Sequence, residues 1–503
     1  MSVSIHEGGL LMKNRQVPHS IATSILSGTK WYVGMRWCVR GLTIISSAVL
    51  ARLLLPEDFG LVAVAMVILG LVALIFDFGV TWALIQNKNA TKAHFDTAWT
   101  LRLLQALAVG LALYLSSPWI AAAYGDARLE LVCQILSAAT IVRGLENIGI
   151  VRFQIEMNFS ADFRYHVSVK LISTLVTVAF ALYFRNYMAL VVSSVAAGLL
   201  EVLFSYIFSR YRPKVSLEKF GEIWGFSQWI LARNIAKYIS TQGDLVVLAG
   251  LASPTALGFY KWGVELSSMT VSEVQQPFSR ALTPGLALIQ DDHSRLISGY
   301  LRALSMMGLI AVPVSLGLGA VAEEVVPLFL GGGDKWLPVV PLLQALVLFA
   351  MFGALYGISG TLLTVTGHVK FTAYVYWIQA ALTLLSLYPA FLLYELVGVA
   401  WARVFIGLSM FIVVSCMVIK ICRVQARKIL DAVWRPVIAG FSMTGALAYV
   451  SSNLNLDSAP LLLAKIFMGA IVYVLVIGLG WVVSGMPKSA EVELLSIVFR
   501  RKS

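Results

Sequence analysis

The stretch LARLLLPEDFGLVAVAMVI, Leu50 to Ile68, holds two apolar runs joined by a corner of proline, two acids, an aromatic residue and glycine. A second stretch, LAGLASPTALGFYKWGVEL, Leu248 to Leu266, repeats the design. A shift of 198 residues lays Trp31 on Trp229, Ala51 on Ala249, Leu53 on Leu251, Pro56 on Pro254 and Gly60 on Gly258. Proline stops one helix and glycine permits a tight restart of the next. A corner written twice in register predicts two related halves.

The medium around those corners follows from composition. Hydrophobic residues make up 59% of the chain and charged residues 13%, against about a quarter charged in a soluble domain. Apolar runs recur from Trp31 to Trp481 without a soluble-looking block, so the chain reads as an all-α polytopic membrane protein. Cys38, Cys133, Cys416 and Cys422 form no CxxC and sit in or beside apolar helices, which argues against a disulfide framework or zinc site. The six histidines fall in or beside polar connections, so no metal centre is expected. No cleaved signal and no phosphate-loop motif is read, and GGGD at Gly331–Asp334 reads as a turn. No catalytic residue and no enzyme activity is expected.

At about 20 apolar residues per crossing, the sequence divides into fourteen transmembrane helices: 31–54, 61–85, 97–117, 129–150, 163–184, 187–208, 221–249, 255–279, 295–318, 337–360, 369–391, 394–419, 432–451 and 460–484. The weakest are 129–150, which carries Arg143 and Glu146, and 255–279, which carries Lys261, Glu265 and Glu273. With both termini cytoplasmic, basic residues concentrate in the inner loops, and the outer loops hold Arg128, Arg185 and Lys335. Arg52 and Lys465 count mildly against this orientation. The net charge of +12 then reads as membrane orientation, with no nucleic acid required. The expected parts are a cytoplasmic segment 1–30, a first lobe 31–209, a linker 210–220, a second lobe 221–420, two further helices in 432–484 and an amphipathic cytoplasmic tail 485–503. An offset of six spans makes the two six-helix lobes parallel repeats around a central cavity.

Read in order, LARLLLPEDFGLVAVAMVI, FDFGVTWALIQ (Phe76–Gln86), GDLVVLAGLASPTALGFYKWGVEL (Gly243–Leu266), PFSRALTPGLALIQ (Pro277–Gln290) and VVPLFLGGGDKWLPVVPLL (Val325–Leu343) resemble the bacterial polysaccharide transporters. These are the Wzx-type flippases of the multidrug/oligosaccharidyl-lipid/polysaccharide exporter superfamily, and the likeness is strongest to the colanic-acid-exporter-like branch. It spans residues 20–485. The resemblance implies a bacterial inner-membrane protein that flips a polyprenyl-diphosphate-linked oligosaccharide to the periplasmic leaflet. Its partners would be that lipid-linked oligosaccharide, membrane lipids, and a polysaccharide polymerase with its export machinery. A monomer without cofactor, open to H+ or Na+ coupling, is the expectation.

Ionisable residues inside a span need a cavity or a partner. Arg36 and Arg40 lie one turn apart in span 1, and Arg233 and Lys237 do the same in span 7. Four cations converging from two lobes would suit a diphosphate, with Lys261 and Arg302 as further candidates. The competing readings are snorkelling to headgroups and pairing with acids, such as Asp77 with Arg40 or Arg102. Asp77, Asp244, Glu265 and Glu201 are candidates for ion coupling or structural pairing, with Lys261 and Glu265 spaced to neutralise each other. A multidrug antiporter of the same superfamily would favour acids over these cations. A peptidoglycan-precursor flippase would share them.

The orientation predicts that cysteines at Asp58, Gly125 and Asn455 react with an impermeant thiol reagent added outside intact cells. Cysteines at Asn89, Ser216 and Ser503 should stay unlabelled, and reversed labelling would overturn the orientation.

Overall fold

The computed structural model describes residues 21–75, 80, 84, 90–156, 158–331, 334–453 and 458–484, without the side chains of 223–233 and a few others. Asp77, most of the 1–30 segment, the 485–503 tail, Asn89, Asn455 and the Arg233 side chain lie outside the described residues. Among the described residues every regular element is helical. The helices are α1 (Ile21–Leu53), α2 (Pro56–Ile75), α3 (Lys92–Tyr124), α4 (Arg128–Gly144), the short α5 (Val151–Ile155), α6 (Phe159–Phe184), α7 (Met188–Phe208) and α8 (Phe220–Ala249). They continue with α9 (Pro254–Ala287), α10 (His293–Ala320), the short α11 (Ala322–Leu330), α12 (Val339–Val365), α13 (Val369–Ile421), α14 (Ala426–Asn453) and α15 (Ser458–Val483).

Among the described residues eight helices are long and apolar enough to cross a membrane, or nine when α4 and the segment Ile148–Ile155, bent by 58°, count as one span. α1, α8, α9 and α14 are as long, at 33, 30, 34 and 28 residues, but carry more polar and charged side chains. The 53-residue α13 is two helical limbs meeting at Tyr394 and Glu395, where Glu395 takes a positive φ of 49°. Apolar side chains such as Leu107, Leu111, Leu115 and Trp119 point outward, as lipid-facing helices require.

The two corners that open the sequence reading pack against each other. A Cβ added to Gly60 would lie 1.5 Å from the Pro254 carbonyl oxygen, and one added to Gly258 would lie 2.0 Å from that of Pro56. The contact is reciprocal, as a two-fold relation between the corners generates. Glycine is needed here because backbone meets backbone. Each proline opens its helix at a position where the missing N–H costs nothing. Asp58, one of the two acids of the first corner, is buried; its carboxylate accepts from Leu55 N and Tyr187 N, both at 2.8 Å. A cysteine at Asp58 would break that cap, and one at Gly125, exposed in the α3–α4 turn, would have to take its positive φ of 66°.

A second set of contacts ties the C-terminal end of α1 to the α11–α12 turn. Lys335 Nζ donates to the Ala51 carbonyl at 3.1 Å and to that of Leu54, Trp336 Nε1 donates to Ala51 O at 3.1 Å, and Arg52 donates to Leu328 O at 3.0 Å. These cations satisfy carbonyls that a helix end leaves open. Phe59 packs edge-on against Trp262 and Trp336 at 5.2 and 5.8 Å between ring centres. Nearby, Arg128 joins Glu57 and Asp126, and its hydrogen bonds hold the Asp126 carboxyl below the usual carboxylate range. The charges that ran against the orientation have structural work: Arg52 holds Leu328, and buried Lys465 pairs with Glu324.

Several boundaries differ from the sequence reading; α3 runs Lys92–Tyr124 against an expected 97–117, and α9 runs Pro254–Ala287 against 255–279. The span expected at 129–150 ends at Gly144, because buried Asn147 accepts from Gly149 N and donates to Tyr211 O at 2.6 Å, which turns the chain. α1 starts at Ile21 rather than at 31.

Gly60→Ala should lower the melting temperature of the detergent-purified protein by several degrees, a packing cost of about 1–3 kcal/mol. Gly41→Ala, with nothing within 4 Å of the added methyl, should leave it unchanged or raise it slightly. Equal melting of the two variants would mean that the corners are not in contact.

Candidate functional site

Arg36 and Arg40 face a cavity of about 740 Å³. α1 supplies Met35, Arg36, Val39, Arg40 and Thr43, and α6 supplies Tyr165, His166, Val169, Lys170 and Ser173. Arg143 comes from α4, Glu146 from the turn after it, and Glu201 from α7. The second half of the chain contributes Ser272, Glu273 and Gln276 of α9. At 1.5 Å per residue, Arg36 lies roughly 25 Å along α1 from the corner. The cavity is thus well removed from the packed corners.

One carboxylate spans both α1 arginines. Glu273 Oε2 is 3.4 Å from Arg36 Nε, and its Oε1 is 3.2 Å from Arg40 Nε. The Arg36 fork is fixed further by Gln276 Oε1 at 2.6 Å and the Ser272 carbonyl at 3.3 Å. The Arg40 Nε is buried and not aligned for a hydrogen bond, so its ion pair is electrostatic only. Behind these lie Arg143 with Glu201 at 3.1 Å and Arg102 with Glu146. Glu146 also accepts from Tyr165 Oη at 2.6 Å. The Lys170 ammonium has no hydrogen bond or ion pair among the described residues. Five basic side chains (Arg36, Arg40, Arg102, Arg143, Lys170) therefore share three carboxylates (Glu146, Glu201, Glu273), and the surplus is positive. Guanidinium groups in a low-dielectric cleft are suited to a phosphate-bearing anion.

The sequence candidates divide accordingly. Arg36 and Arg40 meet in the cavity; their pairing with Glu273, at side-chain exposures of 15% and 21%, replaces the snorkelling reading. Among the described residues Arg40 pairs with Glu273 and Arg102 with Glu146; Asp77, a candidate partner for either, lies outside them. Lys237 is exposed on α8, and neither it nor Lys261 nor Arg302 lines this cavity. Among the described residues the basic groups that line the cavity all come from the first half of the chain, and the Arg233 side chain lies outside them. Lys261 and Glu265 make no ion pair with each other, and Glu265 has no ion-pair partner among the described residues. Glu201 pairs with Arg143.

Asp244 is almost fully buried and stands in a separate network. Arg403 Nε lies 3.4 Å from its Oδ2, and Tyr260 Oη donates to the same oxygen at 2.8 Å. Arg403 also donates to Ser240 O at 3.0 Å and stacks over Phe349 at 4.0 Å. A guanidinium of the chain itself thus supplies the positive charge that Asp244 needs.

Sequence reasoning passed over Arg143, Glu146, Lys170, Glu273 and Arg403. The first, second and fourth had been counted as weaknesses of their spans. The signal was present, since a charge in a span that survives in the membrane marks a cavity or a partner. His166, assigned to a polar connection, lies inside α6 and lines the cavity.

Asp244→Asn should lower the melting temperature and protein level sharply, because an unpaired buried guanidinium costs about 3–5 kcal/mol. The double variant Asp244→Leu with Arg403→Met should recover most of the loss. Full stability of Asp244→Asn with lost transport would instead assign Asp244 to ion coupling.

Comparison with known proteins fits this architecture. A sequence profile described as polysaccharide biosynthesis protein matches residues 49–341. The lipopolysaccharide biosynthesis protein WzxC of Escherichia coli K12 is 27% identical over 354 residues, 70% of this chain and 72% of that protein. The teichuronic acid biosynthesis protein TuaB of Bacillus subtilis 168 is 22% identical over 461 residues, 87% and 90% of the two chains. Among solved structures, the lipid II flippase MurJ in its inward closed conformation superposes with a TM-score of 0.72 at 14% identity, covering 89% of this chain and 98% of that one. A multidrug resistance MATE family transporter in an inward-facing conformation gives 0.53 at 14% identity, covering 84% and 96%. The profile covers more than half of the sequence, and the chain belongs to the polysaccharide biosynthesis protein family, the polysaccharide transporters that its motifs resemble.

Proposed function

We propose that this protein moves a polyprenyl-diphosphate-linked oligosaccharide from the cytoplasmic to the periplasmic leaflet of a bacterial inner membrane, by alternating access. The observation that carries the reading is the cavity, where Arg36, Arg40, Arg143 and Lys170 line the wall with three carboxylates, one of them already paired with Arg102, far from the packed corners. A multiply charged diphosphate is complementary to it, and a cationic drug is not. Relatives named for polysaccharide synthesis support the class of cargo. Arg36, Arg40, Arg143 and Lys170 hold the diphosphate in this scheme, and the sugar follows into the space between the halves.

The same reading takes the chain as fourteen spans with both ends cytoplasmic. The eight apolar helices, the bent α4–α5 pair, the second limb of α13 and the four long polar helices supply that number. The reciprocal Gly60–Pro254 and Gly258–Pro56 contacts support two six-helix halves related by an axis along the membrane normal. The corners then close the periplasmic side.

Arg40→Ala and Lys170→Ala should each weaken substrate binding about ten- to hundred-fold and reduce polymer export in a deletion strain at unchanged protein level. Arg40→Lys should keep part of the function, because the charge survives without the fork. Lys237→Ala should export normally. Normal export by Arg40→Ala and Lys170→Ala together would remove this cavity as the binding site.

A further inference from the structure

Glu273 occupies the position that an anion would take. Its two oxygens address two guanidinium groups on successive turns of α1, with Gln276 and the Ser272 carbonyl holding the Arg36 fork. It comes from α9, in the other half of the chain, and the contact joins the two halves across the cavity. An anion entering the cavity must displace this carboxylate to reach both arginines.

We infer that Glu273 is an internal counter-anion that sets a charge threshold for entry and keeps singly charged bilayer phospholipids out of the cavity. The inference rests on the diphosphate reading given above. A phosphodiester headgroup carries one negative charge, so trading it for the carboxylate leaves the Coulomb sum at the two arginines unchanged. The headgroup also loses its hydration in the exchange. A diphosphate brings at least two charges and more acceptor oxygens, so its exchange is favourable. Such a filter is needed because the surrounding membrane presents anionic phosphodiesters far in excess of any lipid-linked sugar. Without the carboxylate, Arg36, Arg40 and Lys170 would face the cleft with no carboxylate partner among the described residues, and would hold any anionic lipid. Glu273 is therefore a specificity-determining residue that acts by competition, and its release from α1 on substrate entry frees α9 to move.

The test uses full-length protein purified in a neutral maltoside detergent, at fixed salt and pH. The probes are dihexanoyl phosphatidylglycerol, with one charge, and farnesyl diphosphate, with two or more. Affinities are read by calorimetry for the wild type, Glu273→Gln and Glu273→Asp. The wild type and Glu273→Asp should prefer farnesyl diphosphate strongly. Glu273→Gln should bind phosphatidylglycerol about tenfold more tightly than the wild type, with the preference shrinking accordingly. If Glu273→Gln does not fold, Arg36→Gln with Glu273→Gln restores the charge balance. It is compared with Arg36→Gln alone, and the preference must fall on adding Glu273→Gln. A wild type that prefers farnesyl diphosphate and a glutamine variant that prefers it equally would overturn the threshold and leave the cavity reading standing. If neither probe binds any variant, the cavity reading fails and the threshold falls with it.

Discussion

A charge in a low-dielectric bundle has to be answered by another charge or by water, and this constraint shapes most of the molecule. Glu273 answers Arg36 and Arg40, Glu146 answers Arg102, Arg403 answers Asp244, and Glu324 answers Lys465. Most of these pairs join different helices far apart in sequence. Each adds little net stability over an apolar replacement, yet breaking one leaves an uncompensated ion. Helices that carry such groups have few acceptable neighbours. α15 carries one such group, the buried Lys465 that meets Glu324, and turns most of its remaining surface to lipid.

The two halves divide the electrostatic labour. The first half supplies the cations that line the cavity, on α1, α4 and α6, with Arg102 of α3 paired to Glu146. The second half supplies the competing carboxylate on α9 and satisfies buried charges of its own in the Asp244–Arg403–Tyr260 network and the Glu324–Lys465 pair. Backbone likeness at the corners thus coexists with unlike chemistry at depth. Tyr238 shows how this arises: it stands where the 198-residue shift places Arg40, and its hydroxyl is bonded to the Val67 carbonyl at 3.0 Å.

That divergence explains what the sequence could and could not disclose. The corners were legible because proline and glycine impose local backbone rules, and the apolar periods were legible because lipid imposes a length. The meeting of Gly60 with Pro254 was not, since the repeat implies equivalent places without implying contact. Arg36 and Arg40 stood out as a helical pair. Their counter-ion lies 233 residues beyond Arg40, and no local pattern links the two. Arg143, Glu146 and Glu273 were visible as ionisable residues in weak spans, and that weakness was the cavity showing through. Lys237 stands one position before the place that the shift gives Arg40, and it is exposed on α8 outside the cavity.

The segment between the halves has a mechanical consequence. From Ser209 to Lys219 it runs in an extended path along the start of α3. Asp96 accepts from Lys214 N at 2.9 Å, Thr100 Oγ1 from Ser216 N at 3.0 Å and Thr97 Oγ1 from Lys219 N at 3.2 Å. Arg152 stacks over both Phe95 and Tyr211 at 4.9 Å. A free chain of that length could reach roughly 35 Å, but stitched down it gives no slack. The covalent tether shrinks to the Lys219–Phe220 junction, which Glu222 pins again through Lys219 and His94. For any rocking of the halves, that junction is a fulcrum and the helices are lever arms. The widest swing then falls at the far end, where the glycine corners meet.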